Sequence, residues 1–178
     1  MIAPSDVIAF WLNAGPRAWF AKDDAFDAQC RAFEAAHHDA ARRALDQWAE
    51  HAEGALALVL LLDQFPRNLY RGSGHAFATD GLALHFAKTA IESSFDLAVD
   101  PTLRVFFYLP FEHAEDLATQ ERAVFLIEGL DNAEFTKYAI VHRDIIARFS
   151  RFPHRNAALG RTTTADEQGF LDSGGFSG

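Results

Sequence analysis

Three stretches of the chain carry the residue types from which anion recognition or acid–base chemistry can be built. DQFPRNLYR holds Arg67, Asn68 and Arg71. FEHAED holds Glu112, His113, Glu115 and Asp116. Residues 142–161 hold His142, Arg151, His154, Arg155, Asn156 and Arg161. The last stretch has five arginines and one acid, a local +4 on a chain whose net charge is −9. A guanidinium offers a planar fork of donors that fits a carboxylate or phosphate in bidentate fashion and tolerates burial better than an ammonium group. Arg67, Arg71, Arg151, Arg155 and Asn156 are therefore candidates for binding a small anion. A salt-bridge network competes with this reading. Asp63 and Arg67 are i,i+4 partners, as are Asp144 and Arg148, and Glu112 and Asp116 could absorb two more arginines. The arginines of the third stretch outnumber its acids, which keeps a ligand site in play.

Acid–base chemistry has its own candidates. His113, His142, His154 and Glu112 could serve a hydrolase or isomerase acting on a phosphorylated or carboxylated metabolite. His142 also lies on an apolar stripe, where a satisfied core imidazole is the competing role. Glu112, His113, Asp116 and His142 have the types for zinc or ferrous iron. EHAED, however, lacks the HExxH spacing, and neighbouring arginines oppose a cation. No metal and no cofactor are expected. The chain has no GxSxG, Gly-rich phosphate loop or CxxC. Cys30 shares a helical stripe with Phe26 and Phe33, a core position and not that of a nucleophile.

The elements that must position these groups read as helices. Phe26, Cys30, Phe33 and His37 step by three and four, as do Phe135, Tyr138, His142, Ile145, Phe149 and Phe152. ALALVLLLDQF is apolar on every side until Asp63, so it should be an enclosed helix. Ser5, Asp23, Asp80 and Asp100 are placed to cap helices, a further helix begins after Asn132, and Thr164 with Glu167 forms a capping-box pattern. Pro66, Pro110 and Pro153 each follow an apolar run, at separations of 44 and 43 residues. Arrays of paired helices repeat every ~34–47 residues. The expected fold is all-α: a TPR-like array of antiparallel helical hairpins, one domain over residues 1–172, with a loose tail at 173–178.

The chain has 178 residues, 49% of them hydrophobic, enough for a real core. Its net charge of −9 argues against nucleic acid or an anionic membrane as partner. The N-terminus lacks a basic n-region and a long apolar h-region, and the longest apolar run is too short to span a bilayer. A single cysteine excludes an internal disulfide and suits a reducing compartment. These features lead to a cytoplasmic protein. Its expected partner is a small anionic ligand at an Arg-lined pocket or an acidic peptide end. The alternatives are an enzyme using the His and Glu groups in the same cleft, or a protein-interaction scaffold.

LLLDQFPRNLYRGSGHAFATD, FFYLPFEHAEDLATQE and HRDIIARFSRFPHRNAALGRTTTADE, in that order over residues 60–167, closely resemble the DUF924 family of bacterial and some eukaryotic proteins. KDDAFD and the leading FWL extend the match across nearly the whole chain. The resemblance implies an all-helical fold similar to the tetratricopeptide-repeat superfamily; it implies no activity and assigns no residue a role. Three positions depart from the family pattern: Ser150 stands where glycine is expected, Gly81 where proline is expected, and Ala114 where serine is common. The first would matter if that position needs positive φ. The third would remove a hydroxyl contact if relatives make one.

Overall fold

The computed structural model describes residues 2–176. Every regular element among them is helical: α1 (Pro4–Trp19), α2 (Asp24–Cys30), α3 (Glu34–Ala41), α4 (Ala52–Val59), α5 (Phe65–Leu69), α6 (Asp80–Glu92), α7 (Leu109–Glu112), α8 (Leu117–Glu128), α9 (Ala133–Phe149) and α10 (Ala165–Asp172). A π-helical turn, Leu60–Gln64, joins α4 to α5, and short 3-10 turns link several other helices. None of the described helices is long and apolar enough to cross a membrane. The described chain groups into two compact units, Met1–Arg71 with His75–Pro110, and Gly72–Gly74 with Phe111–Gly178.

The first unit is built on the enclosed helix that ALALVLLLDQF predicts. Residues 54–66 are buried without interruption. Around them packs an aromatic core in which the Trp11 ring lies 5.2 Å from Phe65 and 5.6 Å, edge on, from Phe106. Gly54 is required by close approach: a Cβ there would stand 2.1 Å from the Trp48 carbonyl oxygen. Pro66 lacks an N–H, so a carbonyl one turn earlier loses its partner. Side chains supply the missing donors. His37 Nδ1 donates to the Leu61 carbonyl at 2.8 Å, and the Thr79 hydroxyl donates to the Leu62 carbonyl at 2.5 Å. Arg67 donates to the Asp63 carbonyl and Asn68 to that of Gln64. The proline break is thus sealed by residues from α3 and the turn before α6.

Helix starts follow the sequence in part: Ser5, expected as a cap, lies inside α1 behind its N-cap Ala3, and Asp100-Pro101 opens a turn and a 3-10 segment, Arg104–Phe107, in place of an α-helix. The side chains of Asp23 and Thr164 cap as expected, Asn132 caps the helix that begins after it, and Glu167 closes the box with Thr164. Asp80, expected as a cap, is instead the first residue of α6, and its carboxylate faces Arg67. Asp116, expected inside a first turn, is the N-cap of α8.

The second unit holds α8 and α9, joined by a short connection and packed as antiparallel neighbours. α9 closes on Ser150, whose φ of 57° lies in the left-handed region. A glycine would adopt this backbone without cost, and serine bears the strain. The chain then turns through Pro153–Arg155 and reaches α10, whose Phe170 ring packs against Phe149, tilted, with centres 5.2 Å apart. Ile145, Ile146 and Phe152 form a buried cluster joined by Val141, Phe149, Phe170 and Phe176. Phe176 lies within the stretch expected to be loose; residues 177 and 178 of that stretch fall outside the described residues.

Candidate functional site

In the first unit, Asp63 is fully buried on the π-turn and accepts from Gln64 at 2.5 Å. Arg67 lies 3.3 Å from the Asp63 carboxylate and grips Asp80 in bidentate fashion, both bonds 3.1 Å. Arg71 makes the same kind of fork on Asp27, at 2.9 and 2.8 Å. Both guanidiniums are engaged by carboxylates of their own unit. The i,i+4 pair Asp63–Arg67 forms as the spacing predicts.

In the second unit, Arg151 forks onto Glu167 at 2.5 and 2.8 Å and donates to the Thr162 carbonyl at 3.0 Å. Glu167 is buried. Arg151 first, and then the Thr164 amide, hold its carboxyl at about 2, well below the usual range. Asn156, fully buried, donates to Glu167 at 3.3 Å and to Thr163 at 3.4 Å. Arg161 forks onto Glu115 at 2.7 and 2.9 Å, and Glu115 also accepts the Phe152 amide at 2.8 Å. Burial works against the Glu115 carboxylate, yet Arg161 and that amide still hold its pKa down. Asp144 takes Arg143, one residue away, while Arg148 lies over the Phe149 and Phe170 rings at 4.6 and 5.9 Å. The i,i+4 pairing expected of Asp144 and Arg148 is replaced by these contacts, because ring faces of α9 and α10 are open to the Arg148 guanidinium.

The acid–base candidates gather in the second unit. His142 is buried, and its Nδ1 sits 2.8 Å from the Tyr138 carbonyl and 3.1 Å from Glu112 Oε1. Both neighbours are acceptors, so Nδ1 carries the proton and Nε2 keeps the lone pair. The His113 ring lies 6.4 Å from that of His142. The His142 ring also meets Phe152 at 5.5 Å, and Phe152 in turn meets His154 at 5.6 Å. Arg155, buried, lies over the Phe152 ring with its guanidinium carbon 4.4 Å from the ring centre. Burial pushes the His142 imidazole down to about 3. The charges of His113, Arg155 and His154 add to this, and the Tyr138 carbonyl opposes it. His142 is neutral across the physiological range.

The Glu112–Ala114 turn is fixed from below. Gln120, fully buried on α8, donates to the Glu112 carbonyl at 2.5 Å and the Ala114 carbonyl at 2.7 Å, and Arg155 donates to the His113 carbonyl at 3.2 Å. Sequence reasoning did not find Gln120, since nothing in LATQE marks a glutamine that clasps a turn eight residues away. The sequence marks Glu167 as part of a capping box, and its eleven-residue distance from Asn156 hides the pairing with Arg151. Phe176 falls in the stretch that its small residues mark as a tail.

Among the described residues, no group of three or more His, Cys, Asp or Glu side chains is placed to hold a metal ion. A depression of about 530 Å³ beside the end of α8 and the start of α9 is lined by Glu128, Asp131, Lys137 and Val141 among others, and by none of the candidate residues. Cys30 is fully buried, and burial pushes its thiol up to about 12, which fits its core reading.

What the fold and the cluster define is an all-helical protein with a histidine-rich, partly buried polar centre in one of its units. Residues 7–175 match the family model described as bacterial protein of unknown function (DUF924), and the chain belongs to that family. It is similar to a solved structure from Agrobacterium tumefaciens, titled as a protein of unknown function. The two share 53% identity and a TM-score of 0.92, over 96% of this chain and 97% of that one. No curated protein matches the chain.

Proposed function

We propose that the histidine cluster of the second unit binds a small phosphorylated or carboxylated metabolite, and that Glu112 and His142 form its acid–base pair. The observation that carries this reading is the setting of His142 Nδ1 between the Tyr138 carbonyl and Glu112. That setting fixes the tautomer and leaves Nε2 as a proton acceptor, the arrangement a general base requires. Arg155 and the half-buried His113 and His154 are the basic side chains gathered around His142, and anion recognition is assigned to them on that proximity. The electrostatic influence of the same three groups on His142 is to depress it, and a bound anion would offset that influence. The imidazole would therefore gain basicity when ligand is present, which suits a hydrolase or isomerase. A small metabolite ligand and a single buried thiol accord with a cytoplasmic protein.

The test is a titration with inorganic phosphate, and then with a dicarboxylate, followed through the side-chain nitrogen resonances of the histidines. Saturable shifts of His113, His154 and His142 are expected, with the His142 titration midpoint moving up. His154→Gln should weaken them. If these three resonances stay still while ligand rises to tens of millimolar, the reading is wrong.

A further inference from the structure

Phe176 is the residue of the cluster that neither the sequence reading nor the proposed chemistry uses. α10 ends at Asp172, and the chain then reverses. The amides of Ser173, Gly174 and Gly175 return to the carbonyls of Gly169, Leu171 and Phe170, at 3.1, 3.2 and 3.0 Å. The Ser173 hydroxyl also donates to the Phe170 carbonyl at 2.9 Å. Both glycines are required. Gly174 has a φ of 80°, and a Cβ on Gly175 would stand 2.6 Å from the Phe170 ring. This turn delivers Phe176 onto two imidazoles at once. Its ring centre lies 4.4 Å from that of His142, at 62°, and 5.3 Å from that of His154, at 77°. Edge-on rings at these distances are favourable aromatic contacts. Phe176 itself is only half buried, whereas His142 beneath it is 6% exposed. An apolar ring on the outer side of a buried, hydrogen-bonded imidazole is placed to keep water off it.

We propose that Phe176, delivered by the Ser173–Gly175 turn, is a removable aromatic cover over His142 and His154, and that it governs access of solvent and ligand to the His142 imidazole. This rests on the reading of His142 as the base of the site. The contacts divide the labour: Tyr138 and Glu112 hold Nδ1 from within the unit, and Phe176 closes the ring from outside. The cover is held by ring contacts to groups that the anion would also engage. Ligand arriving at His154 and Arg155 therefore competes with the Phe176–His154 contact. The Phe176 ring packs against the buried His142 at 4.4 Å, so its removal should wet the imidazole and let it protonate more readily.

The experiment compares the wild-type chain with Phe176→Ala and Phe176→Leu. Acylation of individual histidines by diethylpyrocarbonate is followed by mass spectrometry, and the His142 ring is titrated by NMR. If Phe176 is the cover, Phe176→Ala should raise the acylation rate of His142 at least ~10-fold and move its titration midpoint up by a unit or more. Phe176→Leu, which keeps most of the apolar bulk, should fall between. His37, buried outside the cluster, should stay as unreactive as in the wild type, and an unchanged far-ultraviolet circular dichroism spectrum should show that the fold is intact. Equal His142 acylation rates and midpoints in all three proteins would overturn the proposal. The two readings fail separately: faster acylation of His142 without any phosphate response leaves the cover standing and removes the anion site.

Discussion

His142 makes the acid limb of stability a direct readout of the cluster. Its imidazole is neutral in the folded chain, with its pKa pushed from 6.5 to about 3 by burial, by His113, Arg155 and His154. The unfolded chain binds a proton near 6.5. The folded state is therefore unpenalised above 6.5, and it loses stability as the pH falls from 6.5 toward 3. Each pH unit in that window costs about 1.4 kcal/mol, so at about pH 5 this one group has removed about 2 kcal/mol. His142→Gln removes the titration while leaving an amide able to donate toward the Tyr138 carbonyl. The comparison is urea denaturation of both proteins near neutral pH and near pH 5. It should be followed by far-ultraviolet circular dichroism, because Trp11, Trp19 and Trp48 all lie in the first unit and would not report on the second. His37, whose imidazole is also lowered by burial, is present in both proteins and cancels. The variant should lose about 2 kcal/mol less than the wild type across this interval. Parallel losses, or an NMR midpoint for His142 near its ordinary value, would refute the assignment of a buried, neutral imidazole.

Three further outcomes follow from the same geometry. Ser150→Gly relieves the left-handed backbone at the end of α9 and should stabilise the chain by ~1 kcal/mol in denaturant titration; a neutral or lower midpoint would show that the serine is not strained. Thr79→Val removes the donor to the buried Leu62 carbonyl at nearly constant shape and should cost about 1–3 kcal/mol, whereas Thr79→Ser should restore most of it. Arg151→Ala leaves Glu167 without the fork that holds its carboxyl at about 2. That contribution is full above the unfolded carboxylate value near 4.5 and fades as pH falls toward 2, so the variant should be destabilised at neutral pH and show a shallower acid limb. An acid limb identical to the wild type would contradict the pairing.

The all-helical class, several helix starts and the enclosed helix were legible because each rests on short-range periodicity or on one residue's local chemistry. Asn132, Thr164 and Asp23 cap within three residues of themselves, and residues 54–66 announce their burial by being apolar on every side. Asp63 and Arg67 pair as i,i+4 spacing requires. Ser150 marked a position where positive φ would matter, and the backbone there has it. The choice among arginine partners lay beyond such reasoning. Every acid near FPHRN was a candidate, and only tertiary packing sent Arg151 to Glu167, Arg161 to Glu115 and Arg148 to two aromatic rings.

The basic stretch RFSRFPHRN shows the division most clearly. Its residue types determined that positive charge would stand where α9 stops, since Pro153 cannot continue a helix and Phe149 and Phe152 must be drawn inward. Whether that charge is spent within the protein depends on distances between segments far apart in sequence. α10 brings Glu167 to Arg151, and the Glu112–Ala114 turn brings its carbonyls to Gln120 and Arg155. The same packing seats Phe176 on His142. A one-dimensional pattern specifies which groups exist and which helix face they share. Only the folded chain sets which of them meet, because a hydrogen bond or ring contact is decided within an ångström.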